Sequence, residues 1–262
     1  MTQLAGRHAL VTGATGGIGH AIAHELAARG CSLTVTGRRE LELKRLVGEL
    51  GPAAHGLTAD LADLDQVRDL MDRAGPVDVL VANAGVGIPE DLAMLSDAEI
   101  ADAIRVNLLA PAALARATVG PMKRRGRGHI VFISSGAGLI ATPGNGSVYT
   151  ATKWGLRGLG LALRQELHGT GVEVSTVFPG PTRDAGMLAD TGVTLPRGFG
   201  TSTPQDVARA VAQAVERDRP ETTVASAGMR LLVGFGALAP VLVGEVARLA
   251  GVGRVREAML TR

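Results

Sequence analysis

The chain contains one tyrosine, Tyr149, and one of its three lysines, Lys153, stands four residues later. Residues four apart share a helix face, so this spacing sets the Lys153 ammonium beside the Tyr149 phenol. An unperturbed phenol loses its proton at about pH 10 and is a slow base at neutrality. A neighbouring cation favours the phenolate and brings the group toward the range of general acid-base work. With so few lysines, chance would place one at this spacing roughly 1 time in 90.

A second constellation binds rather than reacts. Thr12-Gly13-Ala14-Thr15-Gly16-Gly17-Ile18-Gly19 joins a short apolar run to an amphipathic one. Gly13 permits a tight turn, Gly17 lets the backbone approach a pyrophosphate, and Gly19 allows close packing of helix on strand. The N–H groups of the helix N-terminus then face anionic oxygens. The spacing is T-G-x-x-x-G-x-G rather than the commoner G-x-G-x-x-G, and a structural glycine turn is the alternative. Its place at the first strand-helix junction favours dinucleotide binding.

After the next strand comes Gly37-Arg38-Arg39, where an adenosine ribose would lie. An acid there would bind a ribose 2′-hydroxyl and repel a 2′-phosphate, and none is present. Arg38 can make charge-assisted hydrogen bonds to that phosphate, which points to NADP over NAD, whereas Arg39 reads more readily as a solvated helix-entrance residue. Asp60-Leu61 can frame an adenine. Asn83-Ala84-Gly85-Val86-Gly87 makes a polar, glycine-rich strand-end turn, or an ordinary loop.

These residues need a scaffold that brings strand ends together. Strands are expected at 7–12, 33–36, 55–58, 77–82, 130–134, 172–178 and 222–225, separated by helical patterns such as 17–29 and 40–50, the latter stopped by Gly51-Pro52. Apolar strands alternating with helices imply parallel pairing with helices on both faces, a doubly wound α/β sheet in three layers. No linker or repeat divides residues 1–262, so a single domain is expected. In such sheets the ligand crevice lies beyond the carboxyl ends of the strands.

Composition narrows the alternatives. Hydrophobic residues make up 46% and charged residues 20%, as in ordinary globular chains, and with four Phe, one Trp and one Tyr the core must be aliphatic. A net charge of +2, dispersed along the chain, does not mark a nucleic-acid binder. The run Lys123, Arg124, Arg125, Arg127 reads as a solvated helix end. The lone Cys31 cannot form an internal disulfide and, with a strand beginning within ten residues and no leader pattern, suits the cytoplasm. The 14 residues 231–244 carry no charge, short of the roughly 20 needed to span a bilayer. They are expected as a buried or oligomer-facing helix with Pro240 inside it; a membrane-surface or apolar-substrate-facing segment is the alternative. His20 and His24 share a helix face, but no third ligand is apparent, and no metal is expected. No G-x-S-x-G elbow suggests a hydrolase.

Taken together, the residues from Thr12 to Gly19, Asp60, Asn83-Ala84-Gly85, Asn107, Ser135, Tyr149-x-x-x-Lys153 and Pro179-Gly180 resemble the short-chain dehydrogenase/reductase family in its single-domain form. The resemblance covers essentially the whole chain. It implies a Rossmann-type domain that interconverts an alcohol and a ketone or aldehyde by hydride transfer at the nicotinamide. Tyr149 would be general acid or base on the substrate oxygen, and Ser135 would orient that oxygen. Lys153 would lower the Tyr149 pKa and bind the nicotinamide ribose, and Asn107 would hold a relay water through a local helix distortion. Pro179, Gly180 and Thr182 would lie against the cofactor.

Two departures stand out. Ser135 lies 14 residues before Tyr149, one more than the family spacing, which implies an insertion within 139–147 and keeps Ser134 as an alternative. After Pro179-Gly180 the run is Pro181-Thr182-Arg183-Asp184, so Thr182 takes the carboxamide role only by displacement. The run 183–187 resembles that of a mostly bacterial subgroup.

Family members commonly pair long helices into dimers and tetramers, to which Leu156, Leu159 and Leu163 are expected to contribute. Residues 181–203, with Met187, Leu188 and Phe199, are expected to form a substrate lid. With the apolar segment at about 227–250, the lid favours a moderately hydrophobic carbonyl or alcohol substrate. The rival reading is a non-catalytic NADP-binding sensor, which would have no need of Asn107, Ser135, Tyr149 and Lys153.

Overall fold

The computed structural model describes residues 3–88, 90–141, 145–183 and 200–249. Seven strands form one parallel sheet in the order β3-β2-β1-β4-β5-β6-β7. They are β1 (His8–Thr12), β2 (Ser32–Gly37), β3 (Ala54–Thr58), β4 (Val79–Ala82), β5 (Gly128–Ile133), β6 (Val172–Pro179) and β7 (Glu221–Val224). Every residue of β4 and β5 is buried, because side chains of successive residues serve opposite faces and both faces are covered. Ala9, Val11, Val79, Val81 and Val131 pack on one side with α1 (Gly17–Ala28) and α7 (Pro204–Arg217). Leu10, Leu80, Ile130 and Phe132 pack on the other with α3 (Leu64–Ala74), α5 (Ala110–Arg125) and α6 (Ser147–Glu166). The strand order reverses between β1 and β4, which opens the crevice at their carboxyl ends.

Two helices matter most for the site. The first begins as α4 (Asp97–Ile104), fixed by a capping box of Ser96 and Glu99, and runs through a π-turn at Arg105–Leu109 into α5. The second is α6, which rests on the sheet where Gly160 leaves no room for a Cβ beside the Thr176 hydroxyl. Helix α2 (Glu40–Leu50) lies between β2 and β3.

The structure corrects two expectations. Segment 231–244 is not one helix: α8 (Ala227–Leu238) ends at Ala239, whose φ of −142° and ψ of 66° leave the helical region, and Pro240 opens α9 (Pro240–Leu249). Proline has no N–H to give to a helix interior but is suited to a first turn. Nor is the segment buried as a whole, since Leu231, Phe235, Val241 and Leu242 are exposed while Val243 is buried. Leu156, in turn, is buried in the core, with Leu159 and Leu163 packed against the same cluster. Leu159 and Leu163 remain partly exposed, and the large exposed apolar residues of that helix are Trp154 and Leu161. Met187, Leu188 and Phe199 lie outside the described residues, and among those described no helix is long and apolar enough to cross a membrane.

Candidate active site

The glycine loop is shaped by close contacts. Gly13 has a φ of +63°, and a Cβ on it would lie 2.8 Å from the Ala84 Cα. A Cβ on Gly19 would run into the Gly13 carbonyl and stand 2.7 Å from the Asn83 carboxamide nitrogen. Helix α1 starts at Gly17 with Gly16 as N-cap, no side-chain cap and no acid in its first turn. Its first N–H groups are therefore left to donate to an anion.

A cleft of about 540 Å³ opens above these strand ends. Its wall is made by Gly13, Thr15, Gly16, Gly17, Ile18 and Gly19, then by Gly37, Arg38 and Arg39, then by Asp60 and Leu61, and finally by Asn83, Ala84 and Gly85. Val86, from the same turn, also lines it; Thr36, Ala59 and Val106 complete it and were not singled out by sequence, and the last belongs to the π-turn. Arg39 is not merely solvated: it donates to the Thr15 carbonyl at 2.7 Å and lies 3.4 Å from Glu42. Arg38 is exposed at the rim and makes no hydrogen bond or ion pair among the described residues. Asp60 turns a carboxylate oxygen to the Ala62 N–H at 3.0 Å. A tight glycine loop and an uncapped helix start fit a dinucleotide, and an unengaged guanidinium stands at the rim of the same cleft.

Beyond the cleft, the end of β5 meets the first turn of α6. Ser134 and Ser135 diverge there. The Ser134 hydroxyl is buried and donates to the Lys153 carbonyl at 3.0 Å, tying α6 to the sheet. The Ser135 oxygen accepts the Ala137 N–H at 3.2 Å and is hydrogen-bonded to the Tyr149 phenol. The arrangement thus separates the two candidates: Ser135 meets the phenol and Ser134 packs.

The Lys153 ammonium lies 5.7 Å from the Tyr149 ring centroid and donates to the Ile133 carbonyl at 3.1 Å. Burial pushes this amine down to about 8, which still leaves it mostly charged at neutral pH. Burial also raises the Tyr149 phenol above its ordinary value, with the Ser135 hydrogen bond opposing. The depression expected from Lys153 does not appear in the protein alone: desolvation sets the direction of the phenol, and the Lys153 ammonium is aimed at a backbone carbonyl.

Asn107 is fully buried in the π-turn. Its carboxamide oxygen accepts the Val86 N–H at 2.8 Å, and its nitrogen donates to the Val86 carbonyl at 2.9 Å and the Thr152 hydroxyl at 3.2 Å. Thr152 passes the link on to the Tyr149 carbonyl at 2.8 Å. The side chain therefore clamps the loop after β4 to the Tyr149 turn, and the expected distortion is the π-turn, in which Ala110 bonds back five residues to Arg105. A Cβ on Gly85 would lie 3.2 Å from Asn107 Oδ1 and 3.3 Å from Lys153 Nζ, so the cleft and the Tyr149 cluster are contiguous.

Pro179 ends β6, and Gly180 donates to the Val224 carbonyl at 2.8 Å. Thr182 is buried with its hydroxyl on the Gly180 carbonyl at 3.1 Å, and it bridges Ser202. The two ends of the segment expected as a lid are thereby held together, but neither Thr182, Gly180 nor Pro179 forms part of the cleft wall. Sequence reasoning passed over Thr152, whose only signal was its place inside the Tyr-Lys spacing. It also passed over Gly146, the N-cap of α6, where a Cβ would strike the Ile88 carbonyl. A glycine just ahead of a helix was the available clue.

A doubly wound sheet with this cleft and a Ser-Tyr-Lys cluster beside it defines an NAD(P)-dependent oxidoreductase acting on CH–OH and carbonyl groups. The family model for short chain dehydrogenases matches residues 7–194, and the chain belongs to the short-chain dehydrogenase/reductase family. A ketoacyl reductase of Nostoc sp., HetN, is 37% identical over 264 residues, covering 96% of this chain and 92% of that one. A metagenomic short-chain oxidoreductase solved with NADP is 35% identical at a TM-score of 0.71, covering 85% of this chain and 98% of that one. A short-chain dehydrogenase/reductase of Burkholderia phymatum solved with NAD is 27% identical at a TM-score of 0.77, covering 85% and 90%.

Proposed function

We propose that this chain reduces the ketone of an apolar acyl substrate with NADPH, with Tyr149 as the general acid. The observation that carries the reading is the meeting of Ser135, Tyr149 and Lys153 at the inner end of the cleft. When bound, NADPH supplies the hydride. The glycine loop and α1 N-terminus hold the pyrophosphate, and Arg38 holds the 2′-phosphate. Ser135, fixed by the Ala137 amide, orients the carbonyl oxygen. Tyr149, which burial keeps protonated at neutral pH, gives that oxygen its proton. Lys153 holds the nicotinamide ribose, and the π-turn around Asn107 holds the water that resupplies the proton. The same groups serve the reverse direction.

The acyl assignment rests on the ketoacyl reductase relative and on the apolar α8–α9 hairpin, where Gly236 packs on Ile140, soon after Ser135. Residues 181–203 are proposed to close over the substrate. A homodimer or homotetramer is proposed, with exposed Trp154 and Leu161 available for the contact, to be read by sedimentation. The sensor reading draws no support, since all four groups it does without are in place.

The test is a series of 3-ketoacyl thioesters of increasing chain length with NADPH and NADH. Consumption of NADPH is expected, and Tyr149→Phe should lower kcat by roughly 10²–10⁴ while cofactor binding persists. A mutant as fast as the native chain, or ketones left untouched across the series, would overturn the reading.

A further inference from the structure

His20 and His24 lie one turn apart on α1, beginning at the residue after Gly19, and Glu49 stands near the end of α2. Packing of the two helices brings a carboxylate to the imidazole pair that sequence spacing left without a third partner. The His20 Nε2 lies 3.0 Å and the His24 Nε2 3.2 Å from the same Glu49 oxygen, Oε2. The ring centroids are 4.6 Å apart, and one donor atom from each of the three side chains falls within 4.8 Å of the others. Both rings therefore turn the same nitrogen toward one carboxylate oxygen.

That convergence is what a metal ion requires. Zinc bonds imidazole nitrogen at about 2.0–2.1 Å and carboxylate oxygen at about 2.0–2.2 Å, which puts tetrahedral donors about 3.3 Å apart. The two nitrogen-oxygen separations here are already close to that figure. Two histidines one helical turn apart make a stiff chelate, and a carboxylate from a second helix adds a charge. A glutamate side chain is ordinarily ionised at neutral pH, so the third ligand is available as the anion.

We propose that His20, His24 and Glu49 bind a divalent transition-metal ion of the imidazole-preferring class, zinc foremost, with water completing the coordination. On binding, each Nε2 now turned to Glu49 would bond the metal instead, with the ring hydrogen carried on Nδ1. The three side chains are about half exposed, at 45%, 43% and 51%, and the ion would exchange with solvent. It would clip α1 to α2, the helices that follow the glycine loop and Arg39. Its place is structural and lies outside the hydride-transfer chemistry.

Zinc titration of the untagged full-length chain, by calorimetry and by melting with and without a chelator, tests this. One ion per chain is expected, with a rise in Tm that the chelator reverses. His24→Gln and Glu49→Gln should each weaken zinc binding by at least about tenfold, with NADPH binding unchanged, and His168→Gln should leave zinc binding as it was. Cobalt(II) should give the visible absorption of a four-coordinate site in the native chain and not in the two variants. No saturable binding, or zinc held as tightly by both variants as by the native chain, overturns the proposal and leaves a hydrogen-bonded trio.

Discussion

The Asn83 carboxamide donates to the main-chain oxygens of Thr12 at 2.9 Å and Gly13 at 3.3 Å, while the Thr12 hydroxyl accepts the N–H groups of Asn83 at 3.0 Å and Ala84 at 3.1 Å. This reciprocal clasp joins β1 to β4 across the point where the strand order reverses. Asn83 therefore acts on the cofactor cleft by holding the glycine loop in its turn. Thr12→Val leaves the Ala84 N–H without an acceptor and the Asn83 N–H with only the Val81 carbonyl at 3.1 Å, at a cost of about 1–3 kcal/mol in stability. The expected result is NADPH binding weakened by roughly tenfold with near-native binding in Thr12→Ser, as measured by urea unfolding and fluorescence titration.

Adjacent serines should separate by phenotype. Ser135→Ala removes the hydroxyl that meets Tyr149 and should lower kcat by at least roughly tenfold with little change in stability. Ser134→Ala removes the buried bond to the Lys153 carbonyl and should cost about 1 kcal/mol in stability while kcat stays within a few-fold. Steady-state kinetics beside thermal melts distinguish them. The opposite pattern would mean that Ser134 is the residue facing substrate.

Arg38 and Arg39 are chemically alike and structurally different. Arg38 is uncommitted, so Arg38→Ala should raise the KM for NADPH by roughly tenfold or more and leave that for NADH nearly unchanged. Arg39 braces the loop through the Thr15 carbonyl, so Arg39→Ala should weaken both cofactors alike. A loss shared equally by both cofactors on removing Arg38 would count against NADP preference.

The contrast between these arginines shows where sequence reading reaches its limit. Strand-end motifs were legible because topology alone decides that Gly13, Arg38, Asp60 and Asn83 gather at one edge of a parallel sheet. Helix α2 was expected at 40–50 and is found at Glu40–Leu50, since Gly51-Pro52 punctuates the chain. Which face of a helix is spent on the core was not legible for Leu156, because both faces of α6 carry apolar side chains. The pairing of His20 and His24 with Glu49 depends on how α1 and α2 pack, which no local spacing records. The raised phenol of Tyr149 was missed for a related reason: the depth of burial is a tertiary quantity, whereas the position of Lys153 four residues away is a local one.

Acid should expose a different buried group. His129 is fully buried on β5 with its Nε2 2.8 Å from the Ser175 hydroxyl, and that hydroxyl donates to the Arg219 carbonyl at 2.6 Å. The Ser175 hydrogen is thus committed, so His129 must be the Nε2–H tautomer, and its Nδ1 has no partner among the described residues. Protonation would bury a charge and an unmatched donor. Desolvation pushes the imidazole down to about 4, with Asp218 opposing and Arg164 reinforcing. In the unfolded chain the same ring titrates near its ordinary value of about 6.5, so between these values the unfolded state binds more protons than the folded one. The stability from a neutral His129 is fully present above about pH 6.5 and is lost as pH falls through the folded value near 4. The loss between pH 7 and pH 4.5 should be roughly 2–3 kcal/mol from this group. Urea unfolding at both pH values should show that His129→Leu falls less steeply than the native chain by about that amount; equal falls would assign the acid sensitivity to other groups.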